Sequence, residues 1–278
     1  MNLSPPKLSF MSAIFPLAEL EVPTQSPEVN DWSFPETPSR EFSIGLASRL
    51  IDLCIAAEKQ PEMFYTKSQG DDLFVAFRAY GDPADIFNVR GSTQIKEVPF
   101  GKGLAYSPLV EPYRALVEDK LRQLPKAKRL WLAGHGIGAA SALLAAIDLS
   151  EQNELAAVYT FGSPRLGDKR LVRSLPCPVF RVVNNLDLMV TMPTPWKWRH
   201  MGQHYLINVG GRLLKNPKAW TRLPAMLRQT MWLGELLGDG LASGFPRAIY
   251  HLLSQVLGDH SAGAYRSRLY QLAHQEVS

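Results

Sequence analysis

The sequence predicts an α/β domain, a mostly parallel β-sheet covered by helices on both faces. Three observations carry that expectation. Short apolar runs without polar alternation recur at 129–133 (RLWLA), 156–161 (AAVYTF) and 179–183 (VFRVV), as strands buried on both faces require. Segments of helical periodicity separate them, most clearly at 137–149, the alternation of a parallel sheet with crossover helices. A glycine-rich corner, Gly134-His135-Gly136-Ile137-Gly138, joins one run to an alanine-rich helix. Open α/β sheets bind ligands at such carboxyl ends of their strands.

The remaining elements follow in order. Ile44, Leu46, Ala47, Leu50, Ile51, Cys54 and Ile55 recur at helical spacing, which predicts a helix over 42–58. The stretches 64–66 and 72–78, separated by Gln69-Gly70-Asp71, predict a hairpin or two neighbouring strands. Residues 80–103 read as loop, 109–124 as a helix, 167–174 as a short helix, 203–209 as a strand and 262–274 as the last helix. Residues 1–41, rich in Pro, Ser and Glu, read as an N-terminal extension, and 42–278 as one domain with a cap-like insertion at about 211–258.

Composition narrows the function classes. The chain has 278 residues, 46% hydrophobic and 20% charged, enough apolar material for a sizeable core. A net charge of +4 implies little about partners by itself. The two cysteines, Cys54 and Cys177, are far apart and in no metal-binding or redox pattern. They read as free thiols, and no metal or cofactor is expected. No apolar run is long enough to span a bilayer, and 8–18 is a poor secretory h-region, broken by Ser9, Ser12 and Pro16. A cytoplasmic or peripheral-membrane location is favoured over secretion.

The corner at 134–138 admits two readings. Gly134, Gly136 and Ala139 fit G-x-G-x-x-G/A, the dinucleotide fingerprint. That reading needs an acidic residue at the end of the next strand, but AAVYTF ends in Gly162-Ser163-Pro164-Arg165, and Glu154 lies before it. The other reading is a nucleophile elbow, G-x-S-x-G, with Gly136 in the serine position. An elbow needs an acid and a histidine base, often in that chain order. Asp187 follows the strand VFRVVN, and His260 stands in Gly258-Asp259-His260-Ser261 before the final helix. Each residue alone is more simply a turn-capping aspartate or a helix-entry histidine. His135, His200, His204, His251 and His274 are weaker candidates for the base.

Five segments together, "LAGHGIGAASALLAAIDL", "YTFGSPRLGD", "RVVNNLDLMVTMP", "QHYLINVG" and "DHSAGAYRSRL", resemble the class 3 (fungal-type) lipases of the α/β-hydrolase fold. The resemblance runs through roughly 42–275. It implies a hydrolase of lipid esters, with Gly136 at the nucleophile position, Asp187 as the acid, His260 as the base, and backbone N–H groups of Ile137 and Tyr80 in the oxyanion hole. Tyr265 falls a little later than the tyrosine of the family's base motif.

Two departures bear on activity. Glycine at 136 has no side chain to attack a carbonyl, which closes the acyl-enzyme route. Losing the nucleophile costs a serine hydrolase on the order of 10⁶ in turnover. The family's strand end F-R-G-[ST] is here Phe77-Arg78-Ala79-Tyr80. The short hydroxyl of that oxyanion motif is absent, and loss of one donor costs about 10²- to 10³-fold. A single engineered change at 136 does not account for the second departure, so the pair favours a natural, weakly catalytic or non-catalytic relative. Two functions stand: an ester-hydrolase scaffold impaired at the nucleophile, or a pseudo-lipase that holds lipid without turnover.

No acidic residue lies between Asp187 and Glu235, while Lys197, Arg199, Arg212, Lys215, Lys218, Arg222 and Arg228 alternate with Trp196, Trp198, Trp220 and Trp232. This stretch, 196–232, reads either as a surface for anionic membranes or as a cap packed on the core with a solvated basic face. No nucleic-acid-binding fold accompanies the charge.

Overall fold

The structure is a computed structural model, and it describes residues 34–35, 38–79, 97–175, 177–187, 189–193, 195, 197–218 and 258–277. Its nine strands among the described residues are β1 (Phe64–Gln69), β2 (Asp72–Phe77), β3 (Glu97–Phe100), β4 (Gly103–Tyr106), β5 (Arg129–His135), β6 (Leu155–Phe161), β7 (Val179–Asn184), β8 (Gln203–Ile207) and β9 (Leu213–Lys215). The helices are α1 (Ile44–Glu58), α2 (Ser107–Tyr113), α3 (Ile137–Asp148), α4 (Lys169–Arg173) and α5 (Ala262–Val277). After α2 the chain stays helical through a π turn, Arg114–Glu118, and Asp119–Leu121.

Seven strands form the main sheet in the order β1-β2-β5-β6-β7-β8-β9. The steps from β2 to β8 are parallel, and the outer pairs β1/β2 and β8/β9 are antiparallel hairpins. The architecture is therefore α/β, with a mostly parallel central sheet. Every residue of β2, β6 and β7 is buried, which is why their sequences read as continuous apolar runs. On one face Leu73, Val75, Phe77, Leu130, Leu132 and Val158 pack with Ala140, Leu143 and Leu144 of α3. On the other, Tyr159 and Phe180 pack against Phe42, and Phe161 meets Tyr265 of α5. Fully burying one such side chain contributes about 1.5–3 kcal/mol.

Several boundaries differ from expectation. The domain already includes Phe34, whose ring stacks on Phe74 at 3.9 Å and whose backbone N–H and C=O bond Gln69. That anchorage starts inside the span 1–41 read as an extension. Within the stretch read as loop, β3 and β4 form a separate two-stranded sheet, turned by Gly101 at φ +50°. Pro99 and the shortness of both strands hide that hairpin in the sequence. Leu213–Lys215, inside the span 211–258 read as an insertion, closes the main sheet as β9. The rest of that span, 219–257, lies outside the described residues, as does 1–33.

Register sets the height of each strand end. Phe77 pairs with Gly134, His135 with Phe161, and Phe161 with Val182. The segments following β5, β6 and β7 thus emerge side by side at one edge of the sheet, where α/β folds place their chemistry.

Candidate functional site

The turn after β5 has the backbone of an elbow. Gly136 sits at φ 55°, ψ −120°, as N-cap of α3, and its N–H donates to the Phe161 carbonyl at 2.9 Å. The three glycines of the corner are there for different reasons. A Cβ on Gly134 would lie 2.1 Å from the Gly138 carbonyl oxygen, and one on Gly138 would lie 2.3 Å from the Phe77 carbonyl oxygen. Those two are required by close strand–helix approach. Among the described residues, a Cβ on Gly136 would meet only His260, Nε2 at 3.0 Å and Cε1 at 3.4 Å. A side chain at this one corner position would meet a side chain rather than backbone, and the His260 imidazole would have to give by a few tenths of an ångström. The φ 55°, ψ −120° backbone of Gly136 is sparsely populated by L-residues and costs about 1–3 kcal/mol, which glycine avoids.

The acid and base predicted from sequence are brought together. Asp187 follows β7 in a tight turn, with its N–H on the Asn184 carbonyl at 2.9 Å, and it is 1% exposed. Its Oδ2 pairs with His260 Nδ1 at 2.9 Å and accepts the Tyr265 hydroxyl at 2.6 Å. Its Oδ1 accepts the Met189 N–H at 2.9 Å. A carboxylate accepts only, so Nδ1 carries a proton on the Asp187 side, and Nε2 is the ring nitrogen nearest Gly136. Tyr265 accepts the Asn184 N–H at 3.0 Å, which turns its own proton towards Asp187. Burial and the Asp187 charge raise the Tyr265 phenol well above its ordinary pKa, so it remains a donor.

Four participants carry weak sequence signals. Gly162, at φ +63°, lies under the pair, and a Cβ there would come within 2.7 Å of Asp187 Oδ2 and 3.0 Å of His260 Nδ1. A glycine directly after an apolar strand was the available hint. Asp259 fastens the base loop to the acid loop: its carboxylate accepts the Asn185 side chain at 2.9 Å and the Leu186 N–H at 3.3 Å. Asn184 Nδ2 adds a bond to the Asp259 carbonyl at 2.9 Å. His135, considered as a base, instead ends β5 with Nε2 on the His260 carbonyl at 2.6 Å. Burial, with the neighbouring His260, pushes His135 down to about 4, so it is neutral at pH 7 and donates this bond.

Of the two oxyanion candidates, Ile137 is the first residue of α3, where a backbone N–H has no partner within the helix. Tyr80 lies outside the described residues. The end of β2 does reach the elbow, since Gly138 abuts the backbone of Phe77 and Arg78.

The basic stretch is partly corrected. Trp198 is 2% exposed, with its ring against Tyr106 and the Lys197 ammonium over it. It is a core residue and not a membrane contact. Lys197 is paired with Glu97. Arg199, Arg212, Lys215 and Lys218 are exposed, while Trp196, Trp220, Trp232, Arg222 and Arg228 lie outside the described residues.

Comparison with known proteins gives a consistent direction. Residues 68–196, which hold the elbow and Asp187 but not His260, match the family model for lipase (class 3). The chain is similar to a lipase of Rhizomucor miehei, 33% identical over 37% of this chain and 31% of that one. It is also similar to toxin TseL of Vibrio cholerae, 33% identical over 38% and 17% of the two chains. The third, chloroplastic phospholipase A(1) DAD1 of Arabidopsis thaliana, is 28% identical over 38% and 26%. The matched part thus spans less than a third of each of these relatives. The family match lies over the elbow and acid segments and covers less than half of the chain.

Proposed function

We propose that the protein is a lipase-type ester hydrolase scaffold whose nucleophile position is held by Gly136, leaving it strongly impaired in acyl-enzyme turnover. The observation that carries this reading is directional. A Cβ at the one corner position not blocked by backbone would lie 3.0 Å from His260 Nε2, and His260 is paired with Asp187. Ile137 and Tyr80 supply oxyanion N–H groups in this reading. The names of the relatives, lipase and phospholipase A(1), support a substrate among the carboxylic esters of lipids.

The test is Gly136→Ser, assayed on a short-chain ester, a triglyceride emulsion and phosphatidylcholine, with a fluorophosphonate as a label for an activated serine. The serine form is expected to take the label and to gain orders of magnitude in ester turnover, bounded by about 10⁶. A folded Gly136→Ser protein that neither reacts nor hydrolyses any of the three overturns the scaffold reading.

A second reading, lipid binding without turnover, draws on the exposed cations Arg199, Arg212, Lys215 and Lys218. Anionic headgroups attract such clusters by about 1 kcal/mol per charge. Co-sedimentation with anionic but not neutral vesicles supports it, and equal negligible binding to both removes it.

A further inference from the structure

We infer that the His260–Asp187 pair acts in this chain as a general base on water, hydrolysing esters directly with no acyl-enzyme. The inference rests on the scaffold reading and goes beyond it, because it assigns a reaction to the chain with glycine at 136.

The geometry supplies each part. His260 Nδ1 is bonded to a buried carboxylate at 2.9 Å, and a second donor, Tyr265, holds that carboxylate in place. The pair is well shielded, with side-chain exposures of 17% for His260 and 0% for Asp187. The basic lone pair on Nε2 forms no hydrogen bond among the described residues and points at the backbone of Gly136. With no Cβ at 136, a water can rest against the Gly136 Cα and within hydrogen-bond distance of Nε2, about 2.7–3.0 Å. The N–H of Ile137, at the start of a twelve-residue helix, lies beside this position and carries the positive end of the helix dipole.

The step balances without any further reactant. The water oxygen bonds to the ester carbonyl carbon as its proton passes to His260 Nε2. The carbonyl π pair moves onto oxygen, where the Ile137 N–H stabilises it. The carbonyl re-forms as the bond to the alkoxide breaks, and the alkoxide takes the proton back from Nε2. Acid and alcohol leave, and His260 is again neutral. A positioned general base contributes about 10²- to 10⁴-fold, and a triad lacking one member retains about 10³- to 10⁴-fold over water. The water must sit farther from Gly136 than a serine oxygen would, which places the carbonyl less well over Ile137 and keeps the reaction slow.

The experiment compares the given chain, His260→Ala, Asp187→Asn and Gly136→Ser on p-nitrophenyl butyrate, with folding checked by circular dichroism. The given chain is expected to hydrolyse the ester above the buffer rate and to lose about 10²-fold or more in both His260→Ala and Asp187→Asn. It should show no alcohol burst, no fluorophosphonate labelling, and no mass gain of one butyryl group. If the given chain is no faster than His260→Ala while Gly136→Ser is active and labelled, water activation is overturned and the scaffold reading stands. If Gly136→Ser is also silent and unlabelled, both fall. A burst or an acylated given chain overturns the inference too, because the nucleophile is then a side chain of the protein. Should His260→Ala not fold, Asp187→Asn alone decides: equal rates with the given chain overturn the proposal.

Discussion

The two halves of the site are held by different forces. The acid–base half is built from side chains: Asp187, His260 and Tyr265 share one carboxylate oxygen, and Asp259 ties the base loop to Asn185 and Leu186. The elbow half is built from backbone, with Gly134 and Gly138 allowing atoms to approach where any Cβ would collide. The difference means that neither half depends on a side chain at 136. An elbow held by main-chain packing needs nothing from the side chain at 136, and a base held by its own carboxylate needs nothing from the nucleophile.

The largest test of that independence is chemical. In the Gly136→Ser background, Asp187→Asn should lower kcat by about 10⁴-fold, because an amide favours the wrong imidazole tautomer. Steady-state kinetics on a soluble ester measures it. A drop below tenfold would mean that Asp187 only fastens the loop.

The elbow half should break by packing. Gly138→Ala puts a Cβ at 2.3 Å from the Phe77 carbonyl oxygen, so urea unfolding should show a loss upwards of about 3 kcal/mol. Gly136→Ser, with a positive φ and a side chain beside His260 that can yield, should cost about 1–3 kcal/mol. Similar losses at both positions would erase the distinction drawn between the two glycines. Gly136→Ser should thus raise activity while lowering stability, the usual opposition between a strained active site and a relaxed one.

A smaller effect comes from the residue that joins the halves. His135 ends the elbow strand and bonds the carbonyl of His260. Its folded pKa, about 4, lies below the unfolded value near 6.5. Between those values the unfolded chain binds the extra proton, so stability is full above pH 6.5 and falls as pH drops towards 4. The loss should reach up to about 3 kcal/mol, read as urea midpoints across that range. His135→Gln should flatten the decline.

Much of the site was legible in the sequence. Unbroken apolar runs mark two-sided burial, so the parallel strands and their order along the chain could be read, and with them the strand ends that carry Gly136 and Asp187. The π turn after α2, the β3–β4 hairpin and β9 could not, since short strands and distorted turns are decided by what they pack on. Trp198 was misplaced for the same reason. Composition alone does not separate a tryptophan on a surface from one sealed against Tyr106.

Sequence by itself determined that a glycine-rich corner follows an apolar strand, that an acid and a histidine follow it in chain order, and that the fold is α/β. Those are properties of residue type, period and chain order. Only the tertiary structure decided that Asp187 and His260 form a bonded pair. It also assigned Tyr265 and Asp259 to holding that pair, and distinguished Gly134 and Gly138, which are crowded, from Gly136, which faces a base. Distances between residues 73 or more positions apart in the chain depend on how strands and helices close together, and no local pattern in the chain encodes them.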